Sequence, residues 1–121
     1  METNQDVINR LERIEKTLGS AAKTEAIVPG YVIVRGQASG VFAGELVKRE
    51  GREVTLKNSR RLWYWSGAAS LSQLAVDGTS NPKDCKFPAE MPEHVVLDAL
   101  EVIAVTEKAQ KSIKGVAVWQ V

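Results

Sequence analysis

The stretch YVIVRGQASGVFAGELVKREGREVTLKNS, residues 31–59, decides the fold class that this sequence predicts. It contains three runs of alternating or β-branched residues that are typical of strands, at 31–35, 41–50 and 52–59. Gly51 lies between the second and third runs, and so short a connection predicts an antiparallel hairpin. Gly44 interrupts the second run and indicates a bulge or a close approach of another backbone.

The sequence after residue 59 continues the sheet and then changes to a helical pattern. RRLWYW, residues 60–65, is predicted to be a further strand or a strand edge. A short helix is predicted over residues 66–78, with Ser70 as its N-cap and Gly78 as its stop. Residues 79–92 contain three prolines and predict a loop.

The last third of the chain predicts one more strand and one more helix. HVVLDALEVIAVT, residues 94–106, is mostly aliphatic and β-branched and predicts a strand with a bend near Asp98. Residues 106–115 predict a second short helix with Thr106 as its N-cap. The chain is therefore expected to be α+β, with a small, strongly curved antiparallel sheet or barrel, two short helices and an N-terminal oligomerisation helix.

The N-terminal residues 1–20 predict a helix that can leave the domain. Its apolar residues are spaced by four, three and four positions, at Val7, Leu11, Ile14 and Leu18. So narrow a seam is typical of a coiled coil and favours self-association. A helix packed on its own domain is the alternative. Residues 21–29 are expected to be a linker, and residues 30–121 the α+β domain.

Composition bounds the function classes. The 121 residues are 44% hydrophobic and 26% charged, which suits one soluble domain. The net charge of +1 favours neither an anionic membrane nor long nucleic acid. A single cysteine excludes a disulfide within the chain and indicates a reducing compartment. No apolar run approaches the ~20 residues that span a bilayer, and the polar N-terminus is no signal peptide, so we expect a cytoplasmic protein.

Residues for catalysis are scarce, and we expect no enzyme, no metal site and no cofactor. His94 is the only histidine, and Cys85 lies between two charged residues in the proline-rich loop, where nothing activates its thiol. Two such residues are too few for a zinc site. The sequence contains no phosphate-binding loop motif. GQASG, residues 36–40, is a weak glycine signal that is typical of a plain turn.

RRLWYW concentrates large aromatic rings beside paired guanidinium groups. If it is extended, alternation places Arg61, Trp63 and Trp65 on one face and Arg60, Leu62 and Tyr64 on the other, the core face. One interpretation is an aromatic face that the following helix covers. The other is a platform, because rings stack on nucleobases and guanidinium groups bind phosphate in forked hydrogen bonds.

Further basic residues surround this segment in the sequence. They include Arg35 at the end of the first strand, Arg52, Lys57, and Lys108, Lys111 and Lys114 at a helical spacing of three. A solvated basic face explains the same spacing. If the residues do form one site, rings beside cations suit a ligand that is half base and half phosphate, and a small nucleotide needs only one local pocket.

YVIVRGQASGVFAGELVKREGREVTLKNSRRLWYWSGAASLSQLAVDG, followed by LDALEVIAVTEKAQKSIK, resembles a group of small phage and prophage proteins. The resemblance covers residues 30 to about 114. This group includes the Thoeris anti-defence sponges, which sequester the signalling nucleotides of bacterial immunity. The resemblance implies non-hydrolytic binding of cyclic ADP-ribose isomers, or of cyclic di- and trinucleotides, between subunits of a homo-oligomer. It also implies the cytoplasm of an infected bacterial cell.

The candidate ligand-binding residues lie within the segments that carry the resemblance, and their chemistry selects them. They are Arg35, Phe42, Asn58, Arg60, Arg61, Trp63, Trp65, Lys108 and Lys111. The expected partners are cyclic nucleotides and further copies of the chain, as a dimer or a hexamer. Two alternatives stay open: a small-barrel module that binds single-stranded nucleic acid, and a phage structural protein with RRLWYW buried in its core.

Overall fold

A computed structural model of the protein describes residues 26–120. The N-terminal helix predicted over 1–20, and residues 21–25 of the predicted linker, lie outside this range. The described chain is α+β, as expected, with a five-stranded antiparallel sheet and two helices. The strands are β1 (Ile27–Gly36), β2 (Val41–Glu50), β3 (Glu53–Arg61), β4 (Met91–Val96) and β5 (Ala99–Thr106), and the helices are α1 (Leu71–Asp77) and α2 (Glu107–Gly115).

The order of strands in the sheet is β4-β3-β2-β1-β5, so β4 and β5 lie at opposite edges. Only Leu97 and Asp98 connect these two strands. Two residues cannot cross a flat five-stranded sheet, because neighbouring strands lie about 4.8 Å apart. The sheet therefore curls until its edges approach each other at this connection, where the Ala99 amide donates to the Arg52 carbonyl at 3.0 Å. No ladder joins β4 to β5 within residues 26–120, so the described sheet is open and not a closed barrel.

The curl creates two hydrophobic cores, one on each side of the sheet. The outer core lies between the sheet and the two helices, and its buried residues include Tyr31, Ile33, Ala43, Leu62, Leu74, Phe87, Ala109 and Ile113. The inner core consists entirely of residues from the strands: Val32, Val34, Phe42, Val54, Leu56, Val96 and Ala99. Successive residues of β1 alternate between the two cores, which explains why residues 31–34 are all buried.

The helix caps agree with the sequence prediction. The Ser70 hydroxyl accepts from the Gln73 amide, and the Thr106 hydroxyl accepts from the Ala109 amide at 3.1 Å. The predicted helix over 66–78 is too long, since α1 begins only at Leu71. Carbonyl groups of the preceding segment are bound elsewhere: Ser66 accepts from the Thr79 hydroxyl and Gly67 accepts from the Ser80 amide.

Gly44 lies at a bulge between β2 and β3, as the sequence indicated. Ala43 pairs with Arg60 and Glu45 with Lys57, so Gly44 faces two residues, Asn58 and Ser59. A Cβ atom at Gly44 would lie 2.9 Å from the Ser59 Cα. Asn58 adopts φ of 51°, a left-handed conformation that asparagine tolerates better than most residues.

Two strands are longer than predicted. β1 begins at Ile27, which pairs with Thr106, so the end of the predicted linker belongs to the sheet. β4 begins at Met91, within the predicted loop, because Met91 pairs with Ser59. The predicted bend near Asp98 separates β4 from β5. Within residues 26–120, neither helix is long and apolar enough to cross a membrane.

Candidate ligand-binding surface

RRLWYW leaves the sheet after its second residue, and the predicted alternation ends there. β3 ends at Arg61, and Leu62 is still buried, with 2% of its surface exposed. Trp63 is 63% exposed and Tyr64 52% exposed, whereas Trp65 is partly buried against the outer core. The alternation predicted for an extended segment therefore does not hold for Trp65, which packs against the outer core, whereas Arg61 lies over Phe42 of the inner core.

Arg60 is buried, with 4% of its surface exposed. Its guanidinium donates to three backbone carbonyl groups, those of Pro88 at 2.8 Å, Ile113 at 2.8 Å and Phe87 at 2.9 Å. Burial lowers the pKa of Arg60 from its usual value, and the nearby Glu90 carboxylate acts in the opposite direction. These bonds give Arg60 a structural role, because they hold the end of α2 and the loop before β4 against β3.

Arg61 and Phe42 are brought together, as the predicted site requires. The Arg61 guanidinium lies 4.5 Å from the centre of the Phe42 ring and donates to the Ser39 carbonyl at 2.7 Å. The Phe42 ring is buried, and it also packs edge-on against the His94 ring. Burial, and then the charge of Arg61, lower the pKa of His94. Phe42 is therefore a core residue, whereas Arg61 is partly accessible.

The four other predicted site residues each have an acidic partner of their own. Arg35 donates to Glu101 at 2.9 Å, and Asn58 donates to Glu45 at 3.1 Å. The other two pairs are Lys108 with Asp77 at 3.9 Å and Lys111 with Glu107 at 3.2 Å. They lie on three different elements, β1, β3 and α2. All three ion-paired side chains are exposed, so these pairs stabilise the fold little and describe a solvated polar surface.

A different group does converge, two rings around one cation, and we call Tyr64, Lys86 and Trp119 the aromatic–lysine surface. The Lys86 ammonium lies 5.9 Å from the centre of the Tyr64 ring and 5.7 Å from that of Trp119. Tyr64 and Lys86 exchange backbone hydrogen bonds at 3.3 and 2.8 Å. The Trp119 amide donates to the Phe87 carbonyl at 3.0 Å. All three side chains are exposed to solvent, as is that of Trp63, which precedes Tyr64 in the chain.

Sequence reasoning missed Lys86 and Trp119. Their positions depend on two isolated backbone bridges, Tyr64 with Lys86 and Phe87 with Val118. Each bridge joins segments that lie more than 20 residues apart in the chain. The signal that the sequence did offer was composition, since Trp119 is the third of its tryptophans.

A cleft of about 180 Å³ lies beside this surface and is lined by Arg60, Glu90, Lys114, Val116 and Val118. The Lys114 ammonium lies 5.5 Å from the centre of the Tyr31 ring. Burial, and then the charge of Glu90, raise the pKa of Tyr31 to about 12, so its phenol is neutral at physiological pH. The cleft thus combines two cations, one carboxylate and an apolar wall.

The weak glycine signal GQASG, residues 36–40, has a structural explanation. The turn of GQASG is fixed by Asp98, whose carboxylate accepts from the Ala38 amide at 2.8 Å, the Ser39 amide at 3.0 Å and the Ser39 hydroxyl. These bonds lower the pKa of Asp98, the Ser39 hydroxyl contributing most.

Cys85 is buried and contacts Ser66 and Thr79 through its Sγ atom. Within residues 26–120, no three or more His, Cys, Asp or Glu residues are grouped to hold a metal ion.

Comparison with known proteins identifies a family for the domain. A family model described as Domain of unknown function (DUF6948) matches residues 30–113. The match includes β1 from Gly30 onwards, the other four strands, the first helix and most of α2. Of the aromatic–lysine surface it includes Tyr64 and Lys86 but not Trp119. No curated protein and no solved structure matches the chain.

Proposed function

The chain belongs to the DUF6948 family, and we propose that it binds nucleotides without cleaving them, as a phage sponge for cyclic nucleotide immune signals. The ligands would be cyclic ADP-ribose isomers or cyclic di- and trinucleotides, and the setting the cytoplasm of an infected bacterial cell. The proposal combines the sequence resemblance with the chemistry of the aromatic–lysine surface.

One observation carries the proposal: Lys86 lies between two aromatic rings, 5.9 Å from Tyr64 and 5.7 Å from Trp119. A ring that holds a cation over one face can stack on a base with its other face, while the cation pairs with a phosphate of the same ligand. Stacking on an exposed ring stabilises a complex by roughly 1–3 kcal/mol per base. Trp63, which is 63% exposed, offers a further ring.

Sequestration requires only tight and reversible binding, so it needs no nucleophile and no general base. Cys85 is buried within a network of hydroxyl and carbonyl groups. Exposed rings, Lys86 and the adjacent cleft are sufficient for a binding function.

The proposal includes a homo-oligomer, a dimer or a hexamer, assembled partly through the seam of Val7, Leu11, Ile14 and Leu18. An oligomer would place a second subunit over exposed rings and increase the area that a small ligand contacts. Deleting residues 1–20 should lower the molar mass measured by light scattering. A full-length chain that is monomeric at micromolar concentration would contradict this part.

A second candidate is a module that binds single-stranded nucleic acid, and the curled sheet favours it. Consecutive strands β4 and β5 lie at opposite edges of a five-stranded sheet, an arrangement that needs only one further ladder to become a small barrel. Small barrels bind single strands by stacking bases on exposed rings. The third candidate, a structural protein with RRLWYW buried, is less well supported, because Trp63 and Tyr64 are exposed in the described chain.

The test titrates the full-length protein by calorimetry with a panel of cyclic nucleotides and with single-stranded oligonucleotides. Lys86→Gln should weaken binding of a cyclic nucleotide about tenfold, since it removes a charge-assisted contact. Lys83→Gln is the matched control, an exposed lysine of the same loop that is not placed on the aromatic–lysine surface. Heating the complex should release the ligand chemically intact.

The outcomes separate the candidates. Preference for oligonucleotides would favour the nucleic-acid module, and a cleaved product would reopen an enzymatic function. Equal affinity of Lys86→Gln and Lys83→Gln for a cyclic nucleotide would remove the aromatic–lysine surface from the site.

A further inference from the structure

The cleft beside the aromatic–lysine surface presents opposite charges within a small space. Arg60 and Lys114 are donors only, and the Glu90 carboxylate is an acceptor only. Val116 and Val118 supply apolar wall. A ligand that fits must therefore carry hydrogen-bond donors for Glu90, an anionic group for Lys114, and a compact frame between them.

The volume limits how much of a ligand the cleft can hold. At about 180 Å³ it is smaller than the roughly 300–1,000 Å³ of sites that enclose a drug-sized ligand. It can accept a fragment, and the rest of the molecule must lie outside. One carbonyl group joins the cleft to the backbone of the aromatic–lysine surface, because the Phe87 oxygen accepts from the Arg60 guanidinium at 2.9 Å and from the Trp119 backbone amide at 3.0 Å.

We propose that the cleft is a ribose-phosphate subsite, in which Glu90 accepts hydrogen bonds from the ribose hydroxyls and Lys114 binds the phosphate. The inference rests on the proposed function, whose stacking surface it extends: the base lies on the aromatic–lysine surface and the sugar phosphate enters the cleft. Carboxylates that accept from ribose hydroxyls are a recurrent means of recognising nucleotides. The site then selects ribonucleotides over deoxyribonucleotides, because the 2′-hydroxyl is one of the donors that Glu90 requires.

Arg60 contributes mainly its positive charge to the cleft, because most of its hydrogen-bond donors are already bound to backbone carbonyls. Three of its five N–H groups donate to the carbonyls of Phe87, Pro88 and Ile113, which fix the guanidinium in place. A cation held rigidly and buried to 96% of its surface acts in a lower dielectric than an exposed one, so it favours an anion at the adjacent Lys114.

The experiment uses fragments, so that it does not depend on finding the physiological ligand. Full-length protein with ¹³C-labelled valine methyl groups is titrated with ribose 5-phosphate, 2-deoxyribose 5-phosphate, inorganic phosphate and alanine. The methyl resonances of Val116 and Val118, assigned with Val→Ala variants, report occupancy of the cleft. We expect ribose 5-phosphate to shift both in a saturable way, with about tenfold higher affinity than the deoxy compound, as expected for loss of a hydrogen bond to a charged group.

Matched variants identify the two roles. Glu90→Gln should abolish the preference for ribose over deoxyribose, and Lys114→Gln should weaken both sugar phosphates. The controls are Glu93→Gln on β4 and Lys111→Gln on α2, which are exposed and outside the cleft. The fold of each variant is checked by unperturbed methyl resonances of valines in the inner core, such as Val34 and Val54.

Several results would overturn the subsite. They are no shift with any compound, equal affinity for inorganic phosphate and ribose 5-phosphate, a stronger effect of alanine, or a ribose preference that survives Glu90→Gln. The cyclic nucleotide titrations test the sponge proposal independently of the subsite. Ribose 5-phosphate in the cleft without binding of any cyclic nucleotide would end the sponge proposal alone, whereas cyclic nucleotide binding that depends on Lys86 but not on Glu90 or Lys114 would end the subsite alone.

Discussion

Arg60 donates from Nη1 to the carbonyl oxygen of Ile113 at 2.8 Å, and so binds the last turn of α2 to the end of β3. Two further N–H groups of the same guanidinium donate to the carbonyl oxygens of Pro88 and Phe87. These carbonyls belong to segments outside the sheet ladders. The Phe87 oxygen also accepts from the Trp119 amide at 3.0 Å, and the Ile113 oxygen from the Val116 amide at 3.3 Å. The guanidinium thus links the end of β3 to two other segments, the loop before β4 and the last turn of α2.

Arg60→Ala should therefore destabilise the protein by more than about 3 kcal/mol, since three hydrogen bonds to a charged group are lost together. That is a large share of the roughly 5–15 kcal/mol that stabilises a typical domain. The measurement is urea unfolding at pH 7. Arg61→Ala is the matched control, because Arg61 is partly exposed and makes one hydrogen bond and one ring contact, and it should cost about 1 kcal/mol. An equal or larger cost at Arg61 would contradict the assignment.

The pair of arginines shows where sequence reasoning ends. Both were predicted to bind phosphate, because adjacent guanidinium groups look equivalent in a one-dimensional pattern. Strand parity does predict that they face opposite sides of the sheet, and the structure agrees. What parity cannot supply is the identity of the segments that cover each side, and the partners of Arg60 lie 27 to 53 residues away.

The elements themselves were easier to predict than the site. Residues whose role depends on their sequence neighbours were predicted correctly. They are Ser70 and Thr106 as helix N-caps and Gly44 at the bulge. The contact of Lys86 with two rings depends on isolated bridges that leave no periodic trace in the sequence. The closed barrel was not found because curvature follows from the twist of strands, whereas closure requires a β4–β5 ladder that the described strands do not form.

Asp98 makes the stability of the turn at GQASG dependent on pH. Its pKa is lowered in the folded protein, chiefly by the Ser39 hydroxyl and then by the Ala38 amide. A lowered folded pKa means that the contribution is complete above the unfolded value of about 3.9 and is lost as the pH falls through the lower, folded value. In urea unfolding between pH 7 and pH 2.5, Asp98→Asn should reduce the loss of stability below about pH 4. Glu93→Gln is the control, and identical pH profiles for the wild type and Asp98→Asn would contradict the prediction.

Gly44→Ala should destabilise the sheet by about 1–3 kcal/mol, the usual cost of inserting an atom into a packed region. The new Cβ would lie 2.9 Å from the Ser59 Cα, and a backbone atom cannot move aside as the end of a flexible side chain can. Gly115→Ala provides the contrast, because nothing lies within 4 Å of its Cβ position. It should change the free energy of unfolding by no more than about 0.5 kcal/mol. Comparable losses for both variants would show that close approach at the bulge is not the cause.

Trp63 and Trp65 provide the last prediction, because the sequence pattern gave both rings the same role, whereas they differ in burial in the structure. Trp63 is 63% exposed, so Trp63→Ala should leave the free energy of unfolding within about 0.5 kcal/mol of the wild type. Trp65 packs against the outer core, and Trp65→Ala should cost about 2 kcal/mol, less than the 3–5 kcal/mol typical of a fully buried ring.

Affinity should respond in the opposite order. Trp63→Ala removes an exposed ring and should weaken a bound cyclic nucleotide about tenfold, because stacking stabilises a complex by roughly 1–3 kcal/mol per base. Trp65→Ala should change affinity little once the fraction of folded protein is taken into account. Both quantities are measured on the same preparations, by urea unfolding and by calorimetric titration. If Trp63→Ala unfolds the protein instead, the ring is covered in the assembled molecule, most simply by a second subunit, and the stacking surface must then be sought at that interface.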